Sequence, residues 1–81
     1  MYGTISVVNN GRQVISILVD DEMLFCDILP GESTRKKPIL SGTRRAIILN
    51  SREIISADVW FSVQKNVHTT LKIYSCGVLI L

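Results

Sequence analysis

The residues of this chain that could carry chemistry are few: two cysteines, Cys26 and Cys76, one histidine, His68, and seven carboxylates among 81 residues. A cysteine nucleophile needs a base beside it and a third group to orient that base. Residue types alone would permit Cys76, His68 and Asn66 in those roles, but a buried thiol and a turn histidine account for them equally well. Asp20 with Asp21, or Asp27 with Glu32, could be drawn as an acid and base pair. As turn residues and solvated strand ends they need no such role. A structural zinc site is almost always four-coordinate, so one His and two distant Cys are a poor ligand set. No Gly-rich loop of the phosphate-cradling kind is present. The sequence therefore reads as non-enzymatic, with no catalytic residue, metal, cofactor or small-molecule substrate to assign.

Charge offers a better signal than nucleophiles do. The net charge of +2 is too small to imply nucleic acid by itself. Much of the positive charge, however, is gathered in Arg35, Lys36 and Lys37 and then in Arg44 and Arg45. If Ser41-Gly42 is a two-residue hairpin turn, Arg44 falls opposite Ile39 and Arg45 opposite Pro38, and all these cations share one hairpin. Such a hairpin suits an acidic protein partner or nucleic acid. Basic barrels that hold single strands pair their charge with stacking aromatics, and none lies between residues 26 and 59. Charge on an exposed strand edge also discourages unwanted pairing, which is the plainer explanation.

The elements that must position these groups are short strands. Thr4 to Val8 alternates and is β-branched. Asn9-Asn10-Gly11 has the residue types of a hairpin turn, and Gln13 to Val19 follows with Gln13, Ile15, Ile17 and Val19 as the inward set. Asp20-Asp21 turns the chain into Glu22–Ile28, where Leu24, Cys26 and Ile28 share one face and Met23, Phe25 and Asp27 the other. A short helix over Asp20 to Ile28 is the alternative, cramped by the turn at Pro30-Gly31. Ser33 to Leu40 contains Pro38, which cannot donate to a ladder and marks an edge strand.

Thr43 to Asn50 returns antiparallel, with Ala46 and Ile48 on one face and Ile47 and Leu49 on the other. Both faces are apolar, as in a strand covered on two sides. Ile54-Ile55 and Asp58 to Val63 form one bent strand or two short ones, with Val59, Phe61 and Val63 inward and Asp58, Trp60 and Ser62 outward. A turn through Lys65-Asn66 leads to Thr69–Tyr74, with Leu71 and Ile73 inward. Nowhere do ten or more residues keep a helical period. Seven or eight short strands at about ten-residue spacing argue for an all-β sandwich or barrel, and the expectation is an antiparallel β-sandwich occupying residues 1–81 as one domain.

Once strands and turns are placed, the chain resembles a bacterial β-sandwich family of unknown function, usually found in secreted or envelope proteins. The residues that carry the likeness are Ile5, Val7, Val8 and Asn9; Ile15, Ile17, Val19 and Asp20; Leu24; Gly31-Glu32 with Thr34; Gly42-Thr43; and Thr70-Leu71. The resemblance spans residues 4 to 75 and implies an immunoglobulin-like or transthyretin-like sandwich without catalytic residues. The family's Pro-containing loop after the first strand is replaced here by Asn9-Asn10-Gly11-Arg12, and Cys76 to Leu81 is additional.

Four expectations remain. Apolar residues make up 47% of the chain against 20% charged, more than so short a chain can readily enclose. A partner copy is thus expected to cover a face, through Ile47, Leu49, Trp60, Tyr74 and the tail Val78, Leu79, Ile80 and Leu81. That tail must dock, either as a closing strand in cis or on a neighbour's edge. The two cysteines lack C-x-x-C spacing and fit two buried thiols or one disulfide; since a free thiol behaves as a small hydrophobe, buried thiols are expected. Met1-Tyr2-Gly3-Thr4 begins no secretory signal and no apolar run approaches the ~20 residues that span a bilayer, so the chain is expected to be cytoplasmic as synthesised.

Overall fold

The computed structural model describes residues 1–81. Eight strands follow one another without a helix: β1 (Tyr2–Asn9), β2 (Ile15–Val19), β3 (Glu22–Ile28), β4 (Lys37–Leu40), β5 (Gly42–Leu49), β6 (Ile55–Val63), β7 (His68–Tyr74) and β8 (Gly77–Ile80). They form two four-stranded sheets, ordered β4-β1-β7-β8 and β3-β2-β5-β6. The core between them is built from alternate residues: Ile5 and Val7 on β1, Ile15, Ile17 and Val19 on β2, Ala46 and Ile48 on β5, Phe61 and Val63 on β6, Leu71 and Ile73 on β7. This is the inward set that period-two alternation demands, and β6 is one strand rather than two.

Only three connections are hairpins: β2–β3, β5–β6 and β7–β8. The other four cross between sheets. The Asn9-Asn10-Gly11 segment therefore does not close a hairpin but carries the chain from β1 to β2 in the opposite sheet. Ser41-Gly42 likewise ends β4 in one sheet and begins β5 in the other. β4 pairs with β1 (Gly3↔Ile39, Ile5↔Lys37) and β5 pairs with β2 and β6. The sandwich is also not wholly antiparallel, because β1 and β7 run parallel (Thr4↔His68 to Asn9↔Ile73). That pair is possible because the intervening strands supply the long return that parallel pairing requires.

β3 departs from simple alternation. Ile15 pairs with Ile28, Ile17 with Phe25 and Leu18 with Met23, so the register slips twice. At the first slip Asp27 takes φ 53° and donates its backbone N–H to Ser16 Oγ (3.1 Å). These are bulges, where extra residues bend the strand and reset its faces. Phe25 and Ile28, assigned to opposite faces by alternation, are both buried. Cys26 turns outward in consequence. At the other end of the strand, Asp20 (φ 49°) and Asp21 (φ 68°) form the β2–β3 turn, with the positive angles that a type I′ hairpin needs.

Gly3 marks a close approach of β1 to the β6–β7 connection. A Cβ built there would lie 2.6 Å from the Gln64 carbonyl oxygen and 2.8 Å from that of Val67. β4 is an edge strand, as Pro38 requires, although regular pairing covers only Lys37–Leu40.

Candidate functional site

The Pro30–Thr34 stretch uses its polar atoms on backbone. Gly31 (φ 84°) donates its N–H to Asn9 O at 2.7 Å, and Glu32 O accepts from Asn9 N at 2.9 Å. Thr34 Oγ1 accepts from Val7 N at 2.9 Å while Thr34 N donates to Val7 O at 2.8 Å. This loop thus runs beside β1 as an irregular extension of β4. Asn9 is fully buried, and its side chain ties three segments together. Nδ2 donates to Gln13 O (2.8 Å) and Ile28 O (2.9 Å), and Oδ1 accepts from Gly11 N (3.0 Å). Asn9, Gly31, Glu32 and Thr34 are fasteners here rather than reactive groups.

The nucleophile constellation is not assembled. His68 and Cys76 lie at opposite ends of β7, whose residues His68–Tyr74 span about 20 Å at the usual strand rise. His68 instead sits across two hydroxyls of the neighbouring strand, with Nδ1 2.8 Å from Thr4 Oγ1 and Nε2 2.9 Å from Ser6 Oγ. Cys26 and Cys76 are both free and exposed, which corrects the expectation of buried thiols. Cys26 is out because of the β3 bulge, and Cys76 because it occupies the β7–β8 turn.

The basic residues are dispersed. β4 and β5 do not pair, so Arg44 faces Phe61 and Arg45 faces Trp60 across the β5–β6 ladder, not Ile39 and Pro38. Arg44 Nη1 donates to Asp20 Oδ2 at 2.9 Å, and Arg45 N to Asp20 Oδ1 at 3.1 Å. Arg45 also forms a two-pronged pair with Asp58, with Nε 2.8 Å from Oδ1 and Nη2 on Oδ2. The hydrogen bond from Arg45 holds the Asp58 carboxyl below its ordinary range, and the same bond raises the Arg45 guanidinium. Lys37 leaves β4 and crosses to the other sheet, where Nζ donates to Leu24 O (2.6 Å) and stands 4.9 Å from the Phe25 ring centre. Lys37, Arg44 and Arg45 are therefore engaged within the chain. Arg35 and Lys36 stay exposed on the loop before β4.

The apolar residues divide between two surfaces. Ile47 and Leu49 are half-buried on the outer face of the β3-β2-β5-β6 sheet, opposite the inward Ala46 and Ile48. Trp60 is 64% exposed on the same face, with the Arg45 guanidinium 5.7 Å from its ring centre. Tyr74 and Leu79 belong to the other sheet, paired next to Gly77 and Lys72. The tail docks in cis: β8 pairs with β7, and Leu81 exchanges both backbone hydrogen bonds with Thr70. Docking does not bury it. Val78 is half-buried against the core, while Leu79, Ile80 and Leu81 remain exposed.

The two sides of the sandwich differ. On one side lie the edges β3 and β4, guarded by two bulges, by Pro38 and by Lys37 bridging the gap. On the other lie β6 and β8, in contact with each other across the seam. β8 carries no charge and no proline, and the single charged residue of β6, Asp58, is bonded to Arg45. The β6 edge has a register slip between Ile55 and Ala57, so β8 is the less guarded of the two. Exposed Ile54, Ile55, Trp60, Leu79, Ile80 and Leu81 accompany this pair of edges. The sequence showed the apolar residues but not their gathering, which depends on the sheet crossings. No helix of the chain is long and apolar enough to cross a membrane. No protein-family model matches the sequence, and no curated protein matches it either.

Proposed function

We propose that this chain is a non-enzymatic structural or interaction module that self-associates through the open β6 and β8 edges and the apolar surface beside them. The observation that carries the reading is the asymmetry of the edges. A strand edge is a template for pairing unless it is bent, charged or interrupted; the β3 and β4 side has all three protections, whereas β6 has one register slip between Ile55 and Ala57 and β8 has none. Leu81 exchanges hydrogen bonds with Thr70, so antiparallel alternation turns the N–H groups of Ile80 and Val78 away from β7 and out to the free edge. A second copy adding its own edge there would satisfy those groups and cover Leu79, Ile80 and Leu81.

For the fold type, the strand partition supports the transthyretin-like alternative. An immunoglobulin constant-type sandwich keeps its first, second, fourth and fifth strands in one sheet, whereas here β1 and β4 lie opposite β2 and β5. Membership of the bacterial secreted or envelope sandwich family is proposed on the same footing, from the turn motifs and the all-β architecture together. Binding of an acidic partner would have to rest chiefly on Arg35 and Lys36.

Absolute mass by light scattering across a concentration series, with reductant present, tests the proposal. The expected result is a dimer or larger species that reverts to monomer in Leu79→Lys, which charges the edge, and in Ile80→Pro, which removes an outward N–H without removing a bond to β7. A wild-type monomer at high concentration overturns it.

A further inference from the structure

At the end of the sandwich where β1 departs for β2 and β7 turns into β8, the sheets part around a cavity of about 420 Å³. That volume falls within the roughly 300–1,000 Å³ typical of small-ligand sites. Its lining is mixed: buried Ile15 and Ile73 with half-buried Ala57 and Val78 supply the apolar part, Gln13, Ser56 and Ser75 are polar, and exposed Arg12 and Cys76 also line it. Arg12 is the single charged residue of the lining. It makes no ion pair and no side-chain hydrogen bond, in contrast to Arg44 and Arg45, each of which is held by a carboxylate. The loop presenting it is fixed by Asn9, whose amide is spent on Gln13 O, Ile28 O and Gly11 N.

We infer that this groove binds a small monocarboxylate with an apolar tail, the carboxylate on the Arg12 guanidinium and the tail against Ile15, Ile73 and Val78. The charge pattern selects the class. One guanidinium offers paired N–H donors that match the two oxygens of a carboxylate, and no acidic residue of the lining competes for it. The apolar part of the lining, Ile15, Ala57, Ile73 and Val78, suits an aliphatic body, and the further charges of a polyanion would meet no cation. The inference does not depend on self-association.

Octanoate is the probe, and Cys76 is the reporter because it is a free, exposed cysteine among the lining residues of the groove. Cys26, on β3, lies outside it and serves as an internal control. Labelling of each thiol by an alkylating reagent is followed by mass spectrometry on the intact chain. Octanoate is expected to slow labelling of Cys76 while leaving Cys26 unchanged. The neutral 1-octanol should need about tenfold more concentration for the same protection, the value of one charged hydrogen-bonded contact at an accessible site. Arg12→Gln, a substitution at an exposed position, should abolish that preference for the acid. Unchanged Cys76 labelling up to the solubility limit of octanoate overturns the inference. So does equal slowing of Cys26, or a preference that survives Arg12→Gln.

Discussion

Asn9 offers the sharpest test of how the crossing from β1 to β2 is held. Its amide is fully buried and makes three hydrogen bonds to main-chain atoms that belong to the crossing and to the end of β3. Asn9→Ala leaves those atoms without their partner. A buried group stranded in this way costs about 1–3 kcal/mol, and water can more readily reach the atoms on exposed Gln13 and half-buried Gly11. The expected loss is therefore about 2–3 kcal/mol, out of roughly 4–12 kcal/mol for a chain of this size. Asn9→Asp is the more discriminating change. Two carbonyl oxygens that now receive N–H bonds at 2.8 and 2.9 Å would confront a carboxylate instead. Burial and those carbonyls raise the folded-state pKa of the new acid above its unfolded value of about 3.9. Its penalty is then full above the folded pKa and shrinks as pH falls through that value, when the protonated carboxyl can donate to one carbonyl again. Urea unfolding followed by circular dichroism at pH 7 and at pH 4 measures both variants. If Asn9→Ala loses less than about 0.5 kcal/mol, or the aspartate deficit fails to narrow at the lower pH, the fastener argument is wrong.

Three further outcomes are expected. Gly3→Ala should destabilise by about 1–3 kcal/mol, because its Cβ would press on the Gln64 and Val67 carbonyl oxygens and on Val63; a melting temperature unchanged or raised would show that the β6–β7 connection yields freely. Both cysteines should react with a thiol reagent in the absence of denaturant, since both are exposed; a thiol that reacts only after unfolding would contradict the β3 bulge or the β7–β8 turn. By carboxyl NMR titration, Asp58 should titrate below the ordinary aspartate range and return towards it in Arg45→Gln. Because the folded pKa is the lower one, the pair's stabilisation is present above the unfolded pKa and disappears as pH falls through the folded value.

How much of this was legible in the sequence depended on whether a signal was local. Alternation along Ile15-Ser16-Ile17-Leu18-Val19 and along Leu71-Lys72-Ile73 located strands and their inward faces, because a strand's two sides are a property of the strand alone. Asp20-Asp21 and Lys65-Asn66 were readable as turns for the same reason. The destination of each strand was not. Asn9-Asn10-Gly11 and Ser41-Gly42 have the residue types of hairpin turns, and the same types serve a chain that changes sheets. With that choice went the basic hairpin, since the partners of Arg44 and Arg45 are carboxylates on β6 and on the β2–β3 turn. The Cys26 error had a different source. A bulge inverts every face beyond it, and the residue that makes it, Asp27, looks like any outward polar position. Asn9 stood in the motif without showing its role, because a buried amide and a turn amide are spelled alike.

The parallel β1–β7 pair sets an order on assembly. Thr4 and His68 touch although 64 positions separate them, so β1 has no central neighbour until nearly the whole chain is available. The β3-β2-β5-β6 sheet, by contrast, is complete once residue 63 exists, and two of its three pairings are hairpins. Closing long loops before they are rewarded slows folding, so this sheet is the natural scaffold on which the other condenses. During synthesis β1 and β4, paired only with each other, would wait for β7 to emerge. The interval is one in which a neighbouring chain's β7 could be captured in place of the chain's own.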